Sequence, residues 1–288
     1  MRRLVPALCA GCVVAIGITA YGKLGDRAVD ALGVPDAPPT SGSSGERGEL
    51  ATALATARRQ CTLPALDAVV QRLRERSTTA PGDRETFHVL AEALLERVQQ
   101  HAHLRGLSIG TPLYDEVPAG IEADIDAGLD AVARARALGD DSSELFRIEA
   151  GLLGQRITGL AAVLQWNGKI QEALAKAAER AADNPQLHVA LGVRKLLAPS
   201  LLGNDPERAL EHFEFAARAL LDDERPAVFA AMANYLQKKR QMAITWLEQA
   251  VARNPNNKFA RVVLQRVRRG EEDAFARDVT AEEAAATR

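Results

Sequence analysis

The sequence predicts an all-α protein built from stacked helical hairpins. Three observations lead there. Hydrophobic residues make up 47% of the 288-residue chain and aromatic ones only 4%, while alanine, leucine, arginine and glutamate dominate over β-branched runs. Apolar positions recur at steps of three and four, the spacing that keeps side chains on one helical face. Helix breakers interrupt the pattern at short intervals, at Pro81-Gly82, Gly139, Asn167-Gly168, Asn184-Pro185 and Asn254-Pro255. A formal net charge of −2, from 36 Lys+Arg against 38 Asp+Glu, gives no general pull toward nucleic acid.

Residues 1–22 open with Arg2 and Arg3 and then run uncharged from Leu4 to Gly22, with Lys23 closing the stretch. A secretory signal has an apolar region of about 7–15 residues and a membrane span needs about 18 or more, so a cleaved signal peptide and an uncleaved anchor both fit. Either places the rest of the chain outside the cytoplasm, with the membrane as partner of the N-terminal segment. Residues 23–48 form a linker rich in proline, glycine and serine. The helical domain is expected over 49–270, and 271–288 as a loose acidic tail. Cys9 and Cys12 fall in the apolar segment, which leaves Cys61 alone and no disulfide to staple the domain.

Within the domain the first helices are expected at 49–60 and 64–77, forming a divergent hairpin. In DRETFHVLAEALLERVQQ, Phe87, Leu90, Ala91, Leu94, Leu95 and Val98 share one face behind a capping Asp83. A helix over 119–137 pairs with it across a long loop. Further helices are expected at 143–166, 169–183, 186–197, 206–221, 227–238, 242–253 and 258–269, the last capping the stack.

Three of these segments repeat a pattern. In AITWLEQAVARNPNN, Ala243, Leu247 and Ala250 share a face ahead of Pro255. In GKIQEALAKAAERAADNP, Ala173 and Ala177 precede Pro185, and NDPERALEHFEFAARAL carries Ala209, Phe213 and Ala216. Small residues there let neighbouring helices approach closely while the large one fills the gap. The pattern resembles the tetratricopeptide repeat, whose second helix carries A-x3-F-x2-A before a proline. In that family the first helix carries L-G-x2-Y, which aligns with Leu160, Ala161 and Leu164 in one unit and Leu191-Gly192 in the next. The segment APSLLGND is an insertion relative to the repeat.

The resemblance implies an α-solenoid without catalytic or cofactor chemistry, binding a protein or peptide partner in a groove lined by first helices. The residues it places there are Gln155, Thr158, Ala162, Gln165, Gln186, Val189, Val193 and Phe229. As an alternative, LLGNDPERALEHFEFA is similar to exported repeat proteins associated with TRAP transporters, which implies a small-ligand or transporter-accessory role.

Other motifs carry less. GLSIG around Ser108 matches the G-x-S-x-G of a hydrolase elbow, but that elbow needs a strand before it. His101 and His103 end a helix without clustered metal ligands nearby, and His88, His188 and His212 stand singly. The basic run RVVLQRVRR reads as the solvated face of a terminal helix. The loop His103–Pro118 is too apolar for simple disorder, with Leu104, Leu107, Ile109, Leu113, Tyr114 and Val117. It is expected either to fold over the concave face or to cover the upstream core.

Overall fold

The computed structural model describes residues 49–287, so the expectations for segments 1–22 and 23–48 lie outside the described residues. Among those described there is no strand, and no helix is long and apolar enough to cross a membrane. Twelve α-helices follow one another: α1 (Glu49–Gln60), α2 (Leu63–Thr79), α3 (Arg84–His101), α4 (Ala119–Ala137), α5 (Ser143–Gly154) and α6 (Leu160–Arg180), then α7 (Pro185–Leu197), α8 (Pro206–Ala219), α9 (Arg225–Leu236), α10 (Arg240–Arg253), α11 (Lys258–Arg269) and α12 (Ala281–Ala286).

Local chemistry sets most of these boundaries. Asn184 caps α7 by accepting from the Gln186 amide at 2.9 Å, while Pro185 occupies a first-turn position where a missing N–H is no loss. Asp205 with Pro206 starts α8 in the same way, and the Asn257 side chain caps α11. Gly270 then ends α11 in the left-handed region at φ 81°, which a glycine adopts without strain.

Consecutive helices pair as antiparallel hairpins, α1 with α2, α3 with α4, α5 with α6, α7 with α8 and α9 with α10, and α11 packs on α10. The first helices also touch across hairpins, α3 on α5, α5 on α7 and α7 on α9, so they form one continuous inner face. Ala173, Leu191, Gly192, Ala209, Phe213, Ala216, Ala243, Leu247 and Ala250 are all buried. The close approach is literal at Gly192, where an added Cβ would lie 2.5 Å from the Phe213 ring.

The largest departure from the sequence reading lies at 143–183. The break falls at 155–159 instead of Asn167-Gly168, and α6 runs unbroken through that pair. An interior glycine costs a helix only about 1 kcal/mol relative to alanine. A break there would gain no burial in return, because Leu160 is 61% exposed and Leu164 also lies in the open. Segment 143–154 instead buries Leu145, Ile148 and Leu152 completely. The first helix of this unit is therefore α5. Leu160 and Ala161 ride on the exposed start of a second helix and do not pack the repeat.

Two other expectations are corrected. The acidic segment after Gly270 is not loose, since Ala274, Phe275 and Val279 are buried in the C-terminal core. Nor is the basic run a solvated face, since Arg266 is fully buried.

Charged groups tie the N-terminal hairpin to the C-terminal ones. Arg225 pairs with Asp223 at 2.6 Å and with Glu96 of α3 at 2.9 Å, and Arg58 reaches Glu96 at 3.3 Å. Burial alone would raise the Asp223 carboxyl, but the Arg225 guanidinium holds it well below the carboxylate range. Nearby, Arg147 pairs with Glu144 at 2.6 Å, and Asn184 donates to Glu144 at 3.1 Å. Arg59 donates to the Arg253 carbonyl at 3.3 Å, and Asn256 donates to the Arg59 carbonyl at 3.0 Å. Cys61 sits in this junction and receives the Asn254 amide at 3.4 Å. Burial, then Glu224 beside it, push its thiol up to about 12, which removes it from thiol chemistry at neutral pH.

Candidate functional site

The inner face of the last hairpins is made by first-helix residues: Leu196 of α7, Val228 and Met232 of α9, and Phe259, Val262 and Arg266 of α11. All are buried. They are covered by two other stretches of the same chain, the loop after α3 and the segment after α11.

The two stretches lie side by side. The Leu107 amide donates to the Phe275 carbonyl at 2.7 Å, and the Val279 amide donates to the Leu104 carbonyl at 2.7 Å. The Gly106 amide donates to the Asp278 carboxylate at 2.8 Å. No side chain fits at Gly106, because a Cβ there would sit 2.2 Å from the Ala276 carbonyl oxygen. The Phe275 ring packs between Tyr235 of α9, at 5.3 Å, and Phe259 of α11, at 6.4 Å. The Tyr235 hydroxyl donates to the Glu271 carbonyl at 2.5 Å.

Arg266 organises this arrangement. A guanidinium has five N–H donors, and here each has a partner on the segment 274–283. Nη1 donates to the carbonyls of Ala274 (3.2 Å) and Arg277 (2.9 Å), and Nη2 to that of Asp278 (2.8 Å). Nε and Nη2 hold the two oxygens of Glu283, at 3.1 and 2.6 Å. The hydrogen bonds from Arg266 draw the Glu283 carboxyl down to about 2. Thr280 and Glu283 close a capping box that fixes the short helix α12 and with it the carboxylate. Three of the five bonds go to main chain, so most of this grip is independent of sequence.

The loop after α3 packs against both cores, and its Tyr114 and Val117 cover the upstream one as expected. Leu104 and Leu107 pack into the C-terminal core, whereas Tyr114 and Val117 pack against the N-terminal one. Between them the Gly110 amide donates to the Leu197 carbonyl at 2.9 Å.

The eight residues expected to line the groove do not form one surface. Gln155 and Thr158 fall in the turn after α5, and Ala162 and Gln165 on the start of α6, because the helix break is displaced. Gln186 donates to Asp223 at 3.2 Å. Val193 packs at the edge of the C-terminal core, Val189 is half-buried nearby on α7, and Phe229 stacks on Phe213 at 5.4 Å, inside the hairpin stack. The sequence reading missed Arg266, Phe275, Val279 and Glu283. The last three carried a signal, an i, i+4, i+8 spacing after Gly270.

The remaining candidates are structural in their contacts. Ser108 lies in the loop, without the strand an elbow requires. His101 is exposed, while burial and then Lys258 lower His103 to about 4. Among the described residues no group of three or more His, Cys, Asp or Glu could hold a metal ion. His88 is not single, since its Nδ1 meets Asp140 at 2.7 Å. Nor are His188 and His212, whose Nδ1 atoms are 3.0 Å apart. His188 Nε2 faces the Ala182 carbonyl at 3.0 Å. With Nε2 donating there, His188 Nδ1 accepts and His212 Nδ1 donates.

Both imidazoles of that pair are held neutral. Burial, and then the neighbouring His188, lower His212 to about 3, and burial lowers His188 as well. A depressed histidine stabilises the fold above the unfolded value of 6.5 and loses that contribution as pH falls below it. Unfolding free energy is expected to drop by about 2 kcal/mol between pH 7 and pH 5 for His212 alone. Urea titrations at the two pH values, repeated on His212→Leu, check this: the variant should show a shallower pH dependence.

Helical hairpins with a shared inner face define a helical-repeat architecture. No protein-family model and no curated protein match the sequence. Among solved structures the chain is similar to the crystal structure of YrrB, described as a TPR protein with an unusual peptide-binding site. The identity is 12% and the TM-score 0.35, over 68% of this chain and 81% of that one. With so loose a superposition, the architecture rests on the helix pairing of this chain itself.

Proposed function

We propose that the chain is a non-catalytic scaffold that binds a protein or peptide partner on the first-helix face of α7, α9 and α11. One observation carries this reading. That face already holds a turn-forming segment of the chain itself, gripped through its main chain by a fully buried arginine and anchored by an aromatic side chain. The charged stretch 2–3 followed by uncharged residues to 22 supports a location outside the cytoplasm, tested by protease accessibility in intact cells and spheroplasts.

The binding reading is tested by selecting displayed peptides on the intact chain and mapping photo-cross-links. Attachment to α9 and α11, around Met232 and Gln265, is the expected result. Attachment elsewhere overturns the assignment of the face.

A second reading, small-ligand binding, is favoured by a cleft of about 500 Å³ between α2, α3, α4 and the loop. It is lined by Asp67, Arg97, His101, Tyr114 and Asp124, and the Tyr114 hydroxyl has no hydrogen-bond partner. Arg97 is already held by Asp67, at 3.1 Å, and by Asp124, which leaves little net charge to select a ligand. Cross-links confined to this cleft would favour it.

A further inference from the structure

We propose that residues 274–283 are an intramolecular ligand of the first-helix face, and that partners displacing them carry the same chemistry: an aromatic anchor, a β-branched residue four positions on, and a carboxylate four further. This rests on the reading of the face as a polypeptide-binding surface, and it adds both the partner's chemistry and a form of self-inhibition.

The segment has the features of a bound peptide more than of a repeat helix. Phe275 inserts between Tyr235 and Phe259, Val279 is buried four residues later, and Glu283 reaches Arg266 after another four. Its backbone is held at Ala274, Arg277 and Asp278 by that same arginine, and at Phe275 and Val279 by the loop. Apart from Phe275, which touches both α9 and α11, these contacts hold the segment to α11 and to the loop after α3. Among the helices α12 packs chiefly on α11, and none of the five hairpin pairs includes it. Gly270, at φ 81°, is the point from which the chain turns back onto the face.

The vacated face would display Tyr235, Phe259, Val262 and an arginine with five free donors. Such a surface selects a polypeptide with an aromatic residue and a carboxylate. It disfavours a basic peptide, which would leave Arg266 unpaired in an apolar setting. While the segment stays in place, an external peptide binds only to the open fraction of molecules, which weakens its apparent affinity in proportion.

The test uses a fluorescently labelled peptide of residues 271–287 and three full-length chains: wild type, Phe275→Ala and Glu283→Gln. Each substitution loosens the resident segment while leaving the face itself unchanged. Both variants are expected to bind the peptide about tenfold or more tighter than wild type. A peptide carrying Phe275→Ala should bind none of the three. Glu283→Gln removes charge without volume, so it carries the comparison even if Phe275→Ala lowers stability. Gly106→Ala, whose methyl collides with any backbone at the Ala276 position, should release the resident segment and still bind no peptide.

Variants that keep the wild-type helical signal yet bind the peptide no better than wild type overturn the inference. If those variants still take peptides selected on the face, the scaffold reading survives and only the resident-ligand role falls. If they take neither, both fall.

Discussion

Replacing Phe213 by alanine is expected to destabilise the protein by about 3–5 kcal/mol, the range for removing a fully buried aromatic side chain. The ring lies on α8, faces Gly192 of α7 and stacks on Phe229 of α9, so one side chain joins two successive hairpins. Its loss opens a cavity where neither hairpin can collapse without shifting the other. Gly192→Ala is expected to destabilise as well, because its methyl would meet the ring at 2.5 Å. In the double variant the ring is gone and the methyl has room. The two effects should therefore fall short of additivity by about 1–3 kcal/mol in a urea-denaturation cycle. Strict additivity would show that the glycine and the ring do not share one packing site.

Arg266→Met should be of similar size, about 3–5 kcal/mol, but for a different reason. The methionine keeps most of the stem's packing, yet three carbonyls and the Glu283 carboxylate lose their donors at once. Limited proteolysis should cut the variant first between residues 271 and 287, which the wild type protects. Arg266→Lys should not restore protection, because an ammonium offers three donors from a single point instead of a five-donor fork. Acid should weaken the same contact. Glu283 titrates lower in the folded chain than its ordinary 4.5, so its contribution is present above that pH and fades as pH falls toward about 2. An Arg266→Met chain as stable and as protected as wild type would contradict this account of the segment.

Much of the fold was legible because it is written in short-range chemistry. Asn184-Pro185 and Asn257 are cap signals within two or three residues of the amides they satisfy. The small-large-small spacing of Ala209, Phe213 and Ala216 needs only helical geometry to be read. What was misread depends on distant partners. Asn167-Gly168 looks like a break unless one knows that Leu160 and Leu164 stay exposed, so that a break there would bury little. Moving that one turn displaced four of the eight expected groove residues from the first-helix face. Arg266 sits among other basic residues, and no local pattern distinguishes it from Arg268, which pairs with Glu248 at 2.6 Å on the surface. Its burial is decided by a segment folding back from beyond Gly270. That segment reads as a soluble tail from its acidic composition, which outweighs the few apolar residues that anchor it.

The central claim is that polypeptide occupies the first-helix face and can be exchanged there. The most direct measurement is amide hydrogen exchange of the intact chain, with and without a saturating face-selected peptide. The amides to follow are those of Leu107 and Val279, which donate to Phe275 and Leu104. Both should be protected in the free chain. With peptide bound, the Val279 amide should exchange faster while the amides of α9 and α11 stay protected. A peptide that binds and leaves Leu107 and Val279 as slow as before would show that the face is closed core and that binding happens elsewhere.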